Sequence, residues 1–279
     1  MKAATALALR RHPSLVLGAL LVALLLGAAA LSFLWTPWSP YEMDLAHKLQ
    51  TPSAQHWLGT DAFGRDVASL LLVGARNTIL VGVLAVGMGL GFGTALGLLA
   101  AARRGWVEEL VMRLADFTFA FPAILSAILL TAAFGAGIVN AIVAIGIFNI
   151  PTFARVARAS ANAVWGREFI LAARACGKGR WRITIDHVLP NIASVLIVQA
   201  SIQFALAILA EAALSYLGLG TQPPQPSWGR MLAEAQTLMF QAPLLAVWPG
   251  VAIALAVLGL NLLGDGLRDL RDPRLSRTR

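Results

Sequence analysis

Residues 166–191 read "GREFILAARACGKGRWRITIDHVLPN", with five basic side chains (Arg167, Arg174, Lys178, Arg180 and Arg182) against Glu168 and Asp186. On either side lie long apolar runs, residues 138–158 and 192–217. Runs of about 20 apolar residues match the ~30 Å of hydrocarbon that a helix must cross. Lys and Arg gather on the cytoplasmic side of such runs. The basic stretch is therefore a cytoplasmic connection between two spans, and the rest of the chain can be read outward from it.

Of the 279 residues, 58% are hydrophobic and 13% charged, the latter about half the usual ~25% of a globular domain. Six runs are long enough to span: residues 13–34, 79–101, 114–134, 138–158, 192–217 and 244–263. They are continuous and lack the dyad alternation of barrel strands, so the expected fold is an all-α membrane protein with six transmembrane helices. The first run outlasts the ~7–15 residues of a signal-peptide core and continues through Phe33, Leu34 and Trp35, so it reads as an uncleaved helix. With the N-terminus inside, every Lys and Arg except Lys48, Arg65, Arg76 and Arg230 falls on inner segments. Both termini are then cytoplasmic. The formal charge of +8 sits in these connections rather than on one basic face, which excludes a nucleic-acid binder. The chain divides at residue 78 into a first helix with its outer segment and a five-helix core over 79–279.

In the second span Gly89, Gly93 and Gly97 recur every four residues, and Gly87, Gly91 and Ala95 form an adjoining ridge. Small residues at this spacing let helices approach closely in lipid. Pro122, Pro151 and Pro249 are expected to kink or end their spans. Two outer segments, 36–77 and 218–243, are long enough to hold structure. In the second, Ser227 is placed to cap a helix from Trp228. Trp57, Trp228 and Trp248 fall where an aromatic belt would lie.

Glu211 sits near the outer end of the fifth span, about 9 Å deep at ~1.5 Å per residue. Two readings are open: a translocation path shared with Gln199 and Gln203, or an interfacial carboxylate satisfied by neighbouring helices. Asp116 and Asp265, near cytoplasmic span ends, read as structural.

Phosphate-loop, H-E-x-x-H and G-x-S-x-G patterns are absent from the sequence, so the catalytic signatures they carry are missing. His12, His47, His56 and His187 are scattered, and Cys176 is the single cysteine. No catalytic residue, metal or cofactor is expected. Two rival classes are an outer-interface enzyme built on Glu211 or His56 and a membrane scaffold. If the protein moves a solute uphill, the energy comes from a partner.

Within the opening stretch, Phe169, Ala172, Ala173 and Cys176 mark one side of a first helix. Gly177 and Gly179 permit a sharp turn. Trp181, Ile185 and Val188 then mark a second helix, with Pro190 just ahead of the fifth span. Two short amphipathic helices set at an angle fit either the groove of a partner protein or the lipid headgroups.

"EFILAARACG" followed by "HVLPN" resembles the cytoplasmic signature of ABC importer permeases: Glu-Ala-Ala, a glycine after three further residues, and a later Leu-Pro. Ala172, Ala173, Gly177, Leu189 and Pro190 match, while Leu171 replaces the glutamate and His187 the usual isoleucine. "HWLGTDAFGRDVASLLLVGAR", "AEAALSYLGLGTQPPQPSWGRML" and "NLLGDGLRDLRDP" resemble the C-type permease of the dipeptide, oligopeptide and nickel subfamily, over nearly the full chain. The resemblance implies a type I importer permease fold in a bacterial or archaeal plasma membrane. It implies pairing with a second, homologous permease, two ATPase subunits and an external substrate-binding protein. It assigns ATPase docking to Ala172, Ala173, Gly177, Trp181, Ile185, His187, Leu189 and Pro190. The solute it implies is a di- or oligopeptide, with nickel or glutathione as alternatives.

Overall fold

The computed structural model describes residues 13–270. The expectations for Lys2, Arg10, Arg11, His12 and the last nine residues, including both cytoplasmic termini, lie outside that range. Helix α1 is Pro13–Leu34, and α2 (Val67–Met88) continues through a π-turn (Gly89–Gly93) into α3 (Thr94–Arg103). Next come α4 (Trp106–Phe119), α5 (Ala123–Phe134), α6 (Ile138–Trp165) and α7 (Glu168–Ala175). Helix α8 (Arg180–Ile183) passes through a second π-turn (Thr184–Val188) into α9 (Leu189–Tyr216), and α10 (Trp228–Gln236) and α11 (Leu244–Asp269) complete the order. Among the described residues five helices are long and apolar enough to cross a membrane, and a sixth span results if α4 and α5 count as one. Inner and outer below follow the orientation set by the Lys and Arg distribution.

Three expectations change. The third span is not one rod, because α4 and α5 meet at 83° around Pro122, whose ring denies the helix a donor. The second span begins at Val67, because Asp66 caps it by accepting from the Ser69 amide at 2.8 Å. Arg76 therefore sits inside α2, 4.9 Å over the Phe33 ring, and a division at residue 78 falls within that helix. The fifth span begins at Arg180 and runs unbroken to Tyr216, 37 residues or about 55 Å. Pro190 lies inside it, next to the π-turn, and Asn191 Nδ2 donates to the His187 carbonyl at 2.6 Å.

Helix α6 packs against α2, α3, α4, α5 and α9, and a second cluster joins α1, α2, α9, α10 and α11. The first glycine ridge makes the α6 contact. A Cβ on Gly93 or Gly97 would overlap the carbonyl oxygen of Ile150 or Ala154. The adjoining ridge does not pack: a Cβ on Gly87 or Gly91 would meet no neighbouring helix within 4 Å, and Gly91 and Ala95 border an open apolar groove of about 630 Å³ beside α9. Gly97→Val is therefore expected to destabilise the fold by roughly 1–3 kcal/mol of overpacking. Gly91→Val should cost no overpacking, since a Cβ there meets nothing within 4 Å and valine ranks above glycine in helix propensity. Thermal melts in detergent compare the two.

The outer segments form an ordered cap. Arg65 donates to Asp61 through Nε at 2.7 Å and Nη2 at 2.6 Å, and through Nη2 to Glu234 of α10 at 2.9 Å. Arg230 Nε closes the network on Glu234 at 2.9 Å. Ser227 caps α10 by accepting from the Arg230 amide at 3.2 Å, as its sequence position suggested. Trp228 leaves the expected belt: it is buried against Gly74 and its Nε1 donates to the Leu71 carbonyl at 3.0 Å.

Candidate functional site

The cytoplasmic connection between α6 and α9 is built from one turn and two anchors. Helix α7 ends in a Schellman motif: Gly177 N–H donates to the Arg174 carbonyl at 2.9 Å and Lys178 N–H to that of Ala173 at 3.1 Å. This geometry needs a left-handed residue after the cap, and Gly177 has φ +78°. A Cβ there would meet nothing within 4 Å, so conformation rather than space selects glycine. Gly179 is extended at φ −68°, ψ 159° and starts α8.

Ile170 and Ile183 are the anchors, both fully buried, with Ala173 half-buried. The apolar side of α7 is thus the Ile170–Ala173 side, and Ala172 and Cys176 are exposed. In the following helix Trp181 and Ile185 stay exposed while Val188 is buried. A π-turn carries more residues per turn than an α-helix, so Val188 leaves the face that α-helical spacing predicts. The first piece, α7, is a separate helix, but the second is not, since α8 is the first turn of the rod that becomes α9.

Polar contacts hold the turn. Lys178 Nζ lies 3.0 Å from His187 Nε2 and 3.3 Å from Asp186 Oδ2, and the Phe169 and His187 rings meet edge to face at 6.4 Å. Arg180 Nη1 donates to the Ala102 carbonyl at the end of α3 at 3.4 Å, and Arg174 stacks 5.1 Å over Trp165. Leu189 is half-buried and Pro190 exposed. The loop presents an apolar surface to the cytoplasm: Phe169 is 41%, Leu171 58%, Trp181 48% and Ile185 62% exposed. Apolar surface of this kind fits a contact with another protein or with lipid headgroups.

The candidate path residues on α9 are not gathered at one opening. Glu211 is 1% exposed and turned into the outer loop, where Ser215 Oγ donates to its Oε1 at 2.7 Å and Thr221 Oγ1 lies 3.3 Å from the same atom. The Thr221 amide donates to Ser215 Oγ at 2.9 Å. Glu211 thus ties residues 215–221 to the end of α9 through Oε1, while its buried Oε2 has no hydrogen-bond partner. Gln203 is buried and Gln199 half-buried. His56 has its Nδ1 3.0 Å from Asp66 Oδ1 and its ring 5.0 Å from that of Trp38, a structural tie at the cap of α2. His47 hydrogen-bonds Asp44 and holds that carboxyl below the usual carboxylate range. Among the described residues no group of three or more His, Cys, Asp or Glu is arranged to hold a metal.

A bundle of apolar helices with an apolar, tightly turned loop on its inner side defines a multi-pass membrane protein. The family described as binding-protein-dependent transport system inner membrane component matches residues 93–277. The chain is 42% identical over 267 residues to the dipeptide transport system permease protein DppC of Alkalihalophilus pseudofirmus, covering 96% of this chain and 88% of that one. It is 43% identical over 272 residues to the glutathione transport system permease protein GsiD of Pectobacterium atrosepticum, covering 96% and 89%. The solved structure of the MetNI methionine ABC transporter, in inward-facing conformations, superposes with a TM-score of 0.62 at 18% identity, over 73% of this chain and 97% of that one. The chain belongs to the binding-protein-dependent transport system inner membrane component family and has the ABC importer permease fold.

Proposed function

We infer that this permease forms half of the translocation path of an ATP-driven importer for di- or oligopeptides. It pairs with a second, homologous permease, docks two ATPase subunits through residues 166–191 of the two halves, and receives solute from an external binding protein. One observation carries the coupling: Trp181 and Ile185, exposed at the inner end, begin a single helix that reaches Tyr216 at the outer end. Force applied at the loop acts on the whole rod. Ala172, Ala173, Gly177, Leu189 and Pro190 shape the loop, and His187 holds it through Lys178.

The peptide assignment rests on the relatives named for dipeptide and glutathione transport. Co-expression with a second permease, ATPases and binding protein, followed by reconstitution, tests it. ATP-dependent uptake of labelled dipeptide, competed by unlabelled dipeptide, is the expected result. Uptake of glutathione or Ni²⁺ with no dipeptide uptake would reassign the solute, and turnover of any substrate by the purified chain alone would overturn the transport reading.

A further inference from the structure

The break in the third span exposes polar groups at a depth where lipid tolerates none. Helix α5 has twelve residues, about 18 Å at ~1.5 Å per residue, against ~30 Å of hydrocarbon. Its outer end is tied at the outer side: Asn140 Nδ2 donates to the Phe134 and Gly135 carbonyls at 3.0 and 2.8 Å, and the Gly137 amide to Leu219 at 3.1 Å. Measured from that end, the non-helical residues at Phe121 and Pro122 stop short of the inner face of a ~30 Å core, and both are exposed. Irregular backbone at this depth persists only against protein or water.

One turn earlier Asp116 accepts from Arg155 Nη2 of α6. This ion pair is also open, with side chains 65% and 43% exposed. Arg155 stacks 4.3 Å over the Phe119 ring, and the Phe117 and Phe121 rings meet edge to face at 5.4 Å. Broken backbone, an open ion pair and three aromatic rings thus coincide on the α4–α6 face. Ionisable residues within a span face the protein interior or a water-filled cavity.

We propose that this face lines the aqueous path and that Asp116 and Arg155 form a subsite for the two charged ends of a zwitterionic peptide. The ammonium end sits on Asp116 and the carboxylate on Arg155, whose planar fork suits a carboxylate. Phe117, Phe119 and Phe121 take apolar side chains. The empty site keeps its two charges paired with each other. The occupied site exchanges that pair for two protein–peptide pairs, so no charge is left uncompensated in either state. Glu108 and Arg158, paired at 2.7 Å, continue the charged track toward the cytoplasm. The proposal deepens the peptide reading above and rests on it.

The test uses the reconstituted importer with its ATPases and binding protein. Asp116→Asn and Arg155→Gln are each expected to lower dipeptide uptake by about tenfold or more, the loss of one charge-assisted bond, in importers that still assemble with their ATPases. In a Cys176→Ala background, the thiol introduced by Phe121→Cys is expected to react with a charged, membrane-impermeant thiosulfonate, and dipeptide should slow the reaction. Near-normal uptake by both charge variants overturns the proposal. So does joint loss of uptake, assembly and ATP hydrolysis, which marks a structural pair. A thiol at position 121 that stays unreactive with and without nucleotide overturns it even where the charge variants fail to fold. Absence of dipeptide uptake by the unmodified importer would instead remove the peptide reading itself.

Discussion

Ile185→Glu is expected to abolish ATP-driven uptake while leaving the permease folded and inserted. The side chain is 62% exposed and its neighbour one turn back, Trp181, 48%, so neither supports the core much, and exposed substitutions usually shift stability by no more than ~0.5 kcal/mol. In the docked assembly the carboxylate would be desolvated against an apolar groove without a partner, a cost of several kcal/mol. Trp181→Ala removes an aromatic anchor, typically worth about 2 kcal/mol or more at an interface centre, or roughly 30-fold in affinity. Co-purification with the ATPase, uptake and circular dichroism measure the three consequences. Ile183→Ala supplies the contrast: it empties a fully buried site and should cost about 2–5 kcal/mol of stability. Equal ATPase retention by Ile185→Glu and the unmodified chain would contradict the docking role. A proline at position 181 is a weaker probe, because the residue lies in the first turn of its helix, where proline is tolerated.

Arg65→Ala should be the most damaging change in the outer cap. Arg65 stands between Asp61 and Glu234, with side chains only 10%, 12% and 28% exposed. Removing it leaves Asp61 without its cation and Glu234 with Arg230 alone. Breaking a buried pair in this way costs about 3–5 kcal/mol. The cap joins segment 36–66 to α10, so the expected signature is a lower melting temperature together with proteolysis of the outer segments in right-side-out membrane vesicles. Glu109→Ala, which opens the exposed pair with Arg113 at 61% and 76% exposure, should change neither. If the two variants melt alike, the cap is not held by its buried charges.

Much of the architecture was legible because a bilayer imposes local requirements. Span length, the Lys and Arg bias and the Gly89–Gly93–Gly97 ridge each depend on a residue and its near neighbours, and each reads from one strand of text. Gly177 is the sharpest case, since its signature spacing coincides with the one position of the loop that needs a left-handed backbone. Less legible was everything that depends on a partner far along the chain. For Glu211 two readings stood open in the sequence, and its contacts with Ser215 and Thr221 come from residues beyond its own helical turn or beyond the helix. Trp228 looked like a belt residue until Leu71 was found on its indole. Asp116 and Arg155 drew no functional reading, because 39 residues separate them in sequence.

The sequence by itself determined that the chain is a helical membrane protein, which runs are long enough to cross, and where the basic loop turns. Hydrophobic length and turn chemistry act locally, so composition and spacing suffice. Only the tertiary structure decided that α8 and α9 form one rod, that α4 and α5 break at 83°, and that the open charge pair lies at that break. Those outcomes turn on which backbone and side-chain groups find partners across helices, and pairing between distant segments leaves no periodic trace in the chain.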